Sequence, residues 1–386
     1  MNRPVHVLIV GSGIFGVWTA LELLRRGARV TLLDAWGAGH ARSSSGGDTR
    51  IIRATYGSHA IYTRMARRAL ERWQAYESQW QAGLLQQTGA VWLVGEDSRF
   101  ADASAATLAA EGLPFEEVSL RDAARRYPQM AFEGVARVWI EPQAGYLFAR
   151  RACAHVAARF MAEGGTCRVA AAASPVSMDA DGVLLTDGGV VSADHFVFAC
   201  GPWLGDLFPD IVGDNVRPTR QEVYYFGTPA GDARFLHGAL PVWLESGPRF
   251  IYGVPAGDGR GFKVADDSAG PVMDPTSDER VPTVEGITAA RAYLATRFPA
   301  LQDAPLLGAE VCQYETTPDS HFIIDRHPAD ARVWIVGGGS GHGFKMGPVV
   351  GDMAAAAVLG QAAPDPAFAL ARFAAPPPAG WAAKWS

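Results

Sequence analysis

Lysine is scarce in this chain of 386 residues, which holds 34 lysines and arginines together. Lys263, Lys345 and Lys384 are the lysines, so the other 34 − 3 = 31 cations are arginines. Where arginine is the default cation, a lysine that persists points to a need for a compact, titratable ammonium. Chance survival on the surface explains a lysine as well, and Lys384, in a Pro-rich tail, fits that reading. Four cysteines, Cys153, Cys167, Cys200 and Cys312, show neither close pairing nor zinc-like spacing. They imply no disulfide framework and suit a reducing cytoplasm. No metal cluster, Ser-His-Asp set or paired-carboxylate signature competes for the chemistry.

The plainest chemistry in the spacing is Gly11-Ser12-Gly13-Ile14-Phe15-Gly16. In such a segment Gly11 permits a tight turn and Gly13 lets a pyrophosphate approach the backbone. Gly16 lets the following helix pack on its strand with the helix N-terminus facing the phosphates. Asp34 lies 34 − 16 = 18 residues beyond Gly16. There an acid ending a second strand can bind both hydroxyls of a ribose. The ligand this implies is a dinucleotide; the bare motif also serves as a structural glycine turn.

The elements that must position these residues are legible around them. His6 to Val10 reads as a buried strand, the stretch to Arg26 as a helix closed by Gly27, and Arg29 to Asp34 as a second strand. Ser58 to about Trp80 is patterned as an amphipathic helix, and residues 88 to 145 mix short strands and helices. Ala149 to Gly164 reads as helix, and Val190 to Cys200 as containing a buried strand that leads to Gly201-Pro202. Alternating Val, Tyr and Phe between 216 and 265 predict an antiparallel sheet. Arg332 to Val336 is again a buried strand, followed by Gly337-Gly338-Gly339-Ser340-Gly341-His342-Gly343 and a helix from about Phe344 to Leu359. Two helix N-termini converging on one ligand suit a long cofactor whose far end needs partial positive charge, as a reduced flavin does. A hinge or tight packing would also account for those glycines.

Composition narrows the class. Hydrophobic residues at 48% and charged residues at 19% describe an ordinary globular protein, and its length predicts two packed domains. A net charge of −6, with no basic cluster, argues against nucleic acid. The apolar start, Val7 to Leu24, is long enough for a membrane span, but its glycine pattern reads as strand, turn and helix. The expected fold class is α/β in two domains: a Rossmann-like, discontinuous FAD-binding domain (1–85, 146–215 and 326–386) and an antiparallel-sheet substrate domain (86–145 and 216–325).

Several segments together resemble the monomeric sarcosine oxidase and N-methyl amino acid oxidase branch of the D-amino-acid-oxidase-like FAD-dependent oxidoreductases. They are Gly47-Asp48-Thr49-Arg50-Ile51-Ile52-Arg53, Val311-Cys312-Gln313-Tyr314, Asp319 to Asp325 (DSHFIID) and Gly341-His342-Gly343-Phe344-Lys345. The similarity runs over essentially the whole chain. It implies an FAD tethered by a thioether to Cys312, whereas by residue type Cys153, Cys167 and Cys200 are expected to be inert and buried in helix or strand. It implies that Arg53 and Lys345 hold a substrate carboxylate, that Lys263 activates oxygen, and that Tyr252 and Tyr314 line the substrate cavity. Arg50 matches an arginine near the flavin, though a surface or structural role suits it nearly as well. The cofactor contacts implied beyond the first glycine segment are Ser44, Ser45, Thr49, Arg50, Gly201, Trp203, Gly339, Gly341, His342, Gly343, Phe344 and Lys345.

The departures from that branch fall in the substrate site. Ser45 and Gly46 replace two histidines before the GDTR segment, Asp267 stands where a histidine is expected, and Trp243 where a methionine would sit. Sarcosine itself is therefore in doubt, and Asp267 joins the candidate catalytic residues. The expected activity is oxidation of a small amino or imino acid to an imine, with molecular oxygen as acceptor and hydrogen peroxide released, by a cytoplasmic monomer. A dehydrogenase of the same fold using a protein or quinone acceptor is one alternative, and a non-catalytic flavin-binding subunit is another.

Overall fold

Residues 3–97, 99–174, 176, 182–247, 249–257, 259–268 and 270–374 are described by a computed structural model. Lys384 and the rest of the Pro-rich tail lie outside them. A six-stranded sheet forms around His6–Val10, which lies parallel between Arg29–Asp34 and His195–Phe198. Thr166–Val169 extends one edge; Val333–Gly337, then the antiparallel Ile323–Arg326, extend the other. His6–Val10 and Val333–Gly337 are buried along their whole length, as parallel strands covered on both faces must be. Ile14–Arg25, Ala149–Ala162 and Gly347–Val358 pack with the sheet's apolar side chains in one core. The α/β reading holds.

An eight-stranded sheet carries the second layer. Leu306–Thr316, Arg217–Phe226, Phe262–Asp266, Phe250–Val254 and Val242–Ser246 follow one another antiparallel, in agreement with the alternation read between 216 and 265. Ala90–Val94 then pairs parallel with Val242–Ser246, and Arg137–Glu141 and Glu116–Val118 complete the sheet. A small third sheet joins Thr49–Ile52, Gly145–Phe148 and Leu85–Gln86.

Details differ from the sequence reading. The stretch from Val190 to Cys200 does contain the expected buried strand, His195–Phe198, in the main sheet, and Val190–Val191 adds a separate pairing with Val183–Leu184. Phe344–Met346 is a 3-10 turn, and the α-helix begins at Gly347 with Pro348 in its first turn. A domain division between 325 and 326 cuts through Ile323–Arg326, which belongs to the six-stranded sheet. Cys167 is exposed on an edge strand, whereas Cys153 is buried, which pushes its thiol up to about 12. No described helix is long and apolar enough to cross a membrane.

Candidate active site

The turn after His6–Val10 is built as its glycines demand. Gly11 sits at φ +102°, and a Cβ there would come within 2.3 Å of the Ala199 carbonyl oxygen. A Cβ on Gly16 would come within 1.8 Å of the Gly11 oxygen, so that position sets how closely the helix approaches the strand. Gly13 instead faces open space, with only the Ser45 hydroxyl at 3.5 Å from such a Cβ. Asp34 accepts the Ser12 N–H at 2.7 Å and the Trp36 and Gly37 N–H groups at 2.8 Å each, which ties the second strand's end to the first turn.

Between these turns lies a cavity of about 340 Å³. Gly11, Gly13, Ile14, Phe15, Asp34, Ser44, Ser45, Gly201 and Trp203 line it, all anticipated from the sequence. Ala170 to Ala172, Thr276 and Glu315 line it as well and were not anticipated. The hydroxyls of Ser12, Ser43 and Ser44 are buried without a hydrogen-bond partner among the described residues, as is Glu315 Oε2. Buried polar atoms left this way need an external partner, and phosphate oxygens and ribityl hydroxyls are chemically suited to them. A dinucleotide fits the residues present.

A second, smaller cavity of about 50 Å³ is lined by Arg50, Ile51, Arg53, Leu244, Phe250, Tyr252, Asp267, Tyr314, Gly341, His342, Phe344 and Lys345. The Arg53 guanidinium lies 4.8 Å from the centroid of the Tyr56 ring and 5.2 Å from that of Trp92. Lys345 Nζ is 5.3 Å from the same Tyr56 centroid, donates to the Tyr56 hydroxyl at 2.8 Å, and donates to the His342 carbonyl at 3.0 Å. Both cations are buried. Burial raises the Tyr56 phenol, so it keeps its proton. Opposite them, the Tyr314 hydroxyl donates to Asp267 Oδ1 at 2.6 Å.

Arg50 lines the smaller cavity and reaches Ser44, which lines the larger one. Its Nη2 donates to the Ser44 carbonyl at 2.7 Å and to Cys312 Sγ at 3.1 Å, and its Nη1 donates to the Thr49 carbonyl at 2.8 Å. Lys263 reaches the same place from the eight-stranded sheet, donating to the Thr49 carbonyl at 3.0 Å with its ammonium 5.7 Å from the Tyr252 centroid. It is 2% exposed, and burial, reinforced by the Arg50 charge, pushes it down to about 7. Arg50, half-buried, is thus held in place by three acceptors.

The glycine-rich segment contributes unevenly. Gly341 and His342 reach the second cavity, with His342 Nε2 paired to the Ser320 carbonyl at 3.0 Å. Gly339 and Gly343 serve packing: a Cβ on Gly343 would come within 2.7 Å of Phe15, and one on Gly339 within 2.7 Å of Glu315 Oε1.

Among the departures read from the sequence, only Asp267 lines the smaller cavity. Trp243 faces the other side of its strand, stacked on Tyr293 at 5.5 Å and packed with Phe262 and Phe298, so it is no cavity wall. Strand alternation turns its neighbour Leu244 to the cavity instead. Gly46 has no room for a side chain, since a Cβ would come within 1.8 Å of the His40 oxygen, and Ser45 accepts the Ile14 N–H at the nucleotide end. Neither lines the smaller cavity.

Residues 6–357 match the sequence profile of the family described as FAD dependent oxidoreductase. The chain belongs to that family. Within the FAD dependent oxidoreductases it falls in the sarcosine oxidase and N-methyl amino acid oxidase branch. It is 31% identical to the monomeric sarcosine oxidase of Bacillus sp. (strain NS-129), with 91% of this chain and 92% of that one covered. It is 28% identical to the N-methyl-L-tryptophan oxidase of Yersinia pestis (strain Pestoides F), with 95% and 99% covered. The L-proline dehydrogenase of P. horikoshii shares the fold, with a TM-score of 0.82 at 22% identity over 97% of this chain and 98% of that one. FAD is accordingly the cofactor of its family.

Proposed function

We propose that this FAD dependent oxidoreductase oxidises the C–N bond of a small amino or imino acid to an imine and uses molecular oxygen as acceptor, releasing hydrogen peroxide. The observation that carries the reading is the placement of two buried cations, Arg53 and Lys345, against one ring, Tyr56, at a cavity with apolar walls. Two cations beside one cavity suit an anion, and a substrate carboxylate would meet them with directed hydrogen bonds. The names of the sarcosine and N-methyl-L-tryptophan oxidases support a secondary amine beside that carboxylate.

Held at the carboxylate, the substrate has its amine end fixed in position, which converts a chance encounter into an oriented one. Ile51, Leu244, Phe250 and Tyr252 wall the cavity and limit water, and the Asp267–Tyr314 pair offers a polar contact opposite the anchors. Bound FAD supplies the two-electron acceptor for the C–H bond next to nitrogen. Lys263 sets a cation where negative charge develops on oxygen; at about 4 Å and an effective dielectric near 20 this is worth roughly 4 kcal/mol, or about three decades in rate. Cys312, against Arg50, would tether the cofactor. The nucleotide-binding unit would comprise 1–85, 146–215 and the chain from Ile323 onward, and the protein would act as a cytoplasmic monomer.

A screen of amino and imino acids for peroxide release by the purified yellow protein tests this. Flavin reduction by substrate without peroxide would move the assignment to a dehydrogenase, and no reduction by any carboxylate-bearing amine would remove it.

A further inference from the structure

Glu315 lies near the end of its strand, Leu306–Thr316, between the turn at Gly201, which lines the larger cavity, and the glycine-rich loop at Gly339. Its carboxyl Oε1 accepts the Gly339 N–H at 3.1 Å, and its Oε2 has no hydrogen-bond partner among the described residues. A Cβ on Gly201 would come within 3.2 Å of Oε2, and one on Gly339 within 2.7 Å of Oε1. Glycine at both positions therefore leaves the carboxyl its space. The residue is 9% exposed, and it lines the cavity together with Gly11, Gly13, Asp34 and Gly201.

We propose that Glu315 is a cofactor-binding residue that holds a proton in the FAD-loaded protein and donates a hydrogen bond from Oε2 to an oxygen of the bound cofactor. An ionised carboxylate only accepts: it could take a ribityl hydroxyl, but toward phosphate and flavin carbonyl oxygens, which carry no proton, it offers only repulsion. A neutral carboxyl donates one bond from Oε2 while Oε1 keeps its bond from Gly339, which gives both carboxyl oxygens a partner.

The surroundings favour the neutral form. Burial pushes the Glu315 carboxyl up to about 7, against the opposing pull of the Gly339 and Gly338 N–H groups. The turn at 199–203 brings Cys200, whose thiol is raised by burial and by the charges of Asp34 and Glu315, and donates to the Val10 carbonyl at 3.3 Å. The first βα unit brings Asp34, across the cavity. The glycine-rich loop brings His342, whose Nε2 is paired with the Ser320 carbonyl, and the neighbouring strand brings Arg217, one residue along opposite Thr316. The negative charge of the FAD pyrophosphate in the same cavity pushes the carboxyl in the same direction as burial does.

The linkage has a definite sign. FAD raises the pKa of Glu315, so binding takes up a proton wherever the carboxyl is ionised beforehand. Affinity is independent of pH below about 7. Above that it falls as pH rises, by up to about tenfold per pH unit, until the pKa of the loaded protein is passed.

The test uses the Cys312→Ala holoprotein, in which FAD is reversibly held. Free FAD is read by its fluorescence after equilibrium dialysis between pH 6 and 9, for Glu315 and for Glu315→Gln and Glu315→Leu in the same background. The Glu315 protein is expected to lose affinity with rising pH. The Gln form, an uncharged donor of the same shape, should bind with no such slope, and the Leu form should bind more weakly at pH 6 and also without slope. Infrared spectra of the Glu315 and Gln holoproteins provide a second reading, in which a neutral-carboxyl band is expected for Glu315 and absent for Gln. A pH slope that persists in the Gln form, a Leu form that binds as tightly as Glu315 at pH 6, or the absence of that band would each overturn the proposal.

Discussion

Arg50 donates a hydrogen bond from Nη2 to the sulfur of Cys312 at 3.1 Å, and it is fixed there by further bonds to the Ser44 and Thr49 carbonyls. A guanidinium so held sets a permanent positive charge against Cys312, whose sulfur also lies 3.9 Å from the Ser44 carbonyl oxygen. Thioether formation needs a nucleophilic sulfur, and this neighbourhood supplies the electrostatic condition for it.

The flavin is therefore expected to be covalent. Acid precipitation should leave the yellow colour in the protein pellet, and Cys312→Ala should release it to the supernatant. Arg50→Gln should slow attachment, seen as a mixture of free and bound flavin that shifts towards bound on long incubation with added FAD. Colour in the supernatant of the unaltered protein refutes the tether.

Lys263→Met is expected to slow reoxidation of the reduced flavin by about three decades, with anaerobic reduction by substrate little changed. The charge helps only the step in which oxygen becomes negative. With the ammonium pushed down to about 7, the cation is present below that pH and lost above it, so reoxidation should slow as pH rises through about 7. The same shift appears in stability. Between about 7 and the ordinary lysine range the unfolded chain binds a proton that the folded chain does not, so stability should rise with pH across that window, by on the order of 4 kcal/mol in all. Thermal melts at successive pH values check this, because the Met form should lack that rise. Equal losses in both half-reactions, by stopped flow, would count against the oxygen role.

Removing either anchor should weaken carboxylate binding. Arg53→Met or Lys345→Met is expected to cost about 2 kcal/mol or more, roughly 30-fold in kcat/KM, chiefly through KM. Small carboxylate inhibitors should lose affinity in parallel, whereas amines lacking a carboxylate should be unaffected. Variants that treat both classes of ligand alike would place the cations elsewhere in the mechanism.

How far the sequence went is clearest from residue pairs. Gly11, Gly13, Gly16 and Asp34 were legible because a strand, a turn and a helix lie adjacent in the chain, and local spacing fixes their geometry. Arg53 and Lys345 are 292 positions apart (345 − 53) and entered only through a resemblance. Nothing local marked Tyr56, the ring against which both cations lie. Glu315 carried a faint signal, sitting one residue past the Val311–Tyr314 segment on the strand that bears Cys312. What hid it was that its partners, Gly201 and Gly339, come from distant turns. Trp243 went wrong for a different reason: matching the position in a segment did not reveal the face of the strand. A pleat that alternates side chains every residue placed it in the core and Leu244 at the cavity.

The substrate prediction changes accordingly. Of the positions that set this chain apart from sarcosine oxidases, Ser45 and Gly46 sit at the nucleotide end and Trp243 sits in the core, so the case against sarcosine now rests on Asp267. Its carboxyl takes the Tyr314 hydroxyl at 2.6 Å beside a cavity that also holds the anchors. A carboxyl has two oxygens and up to four acceptor positions, so it can take a further donor while keeping Tyr314. Sarcosine, with a methyl group on nitrogen and no side chain, offers no donor beyond its amine. An amino or imino acid carrying a second amine or a hydroxyl does, and a site that hydrogen-bonds such a group discriminates against analogues that lack it. Steady-state kcat/KM should therefore be higher for a hydroxyl- or amine-bearing substrate than for proline, pipecolate or sarcosine. Asp267→Ala should erase the difference and leave the rate with sarcosine within a few-fold. Sarcosine turning over best by a clear margin, or a preference that survives Asp267→Ala, would show that Asp267 serves only to hold Tyr314 in place.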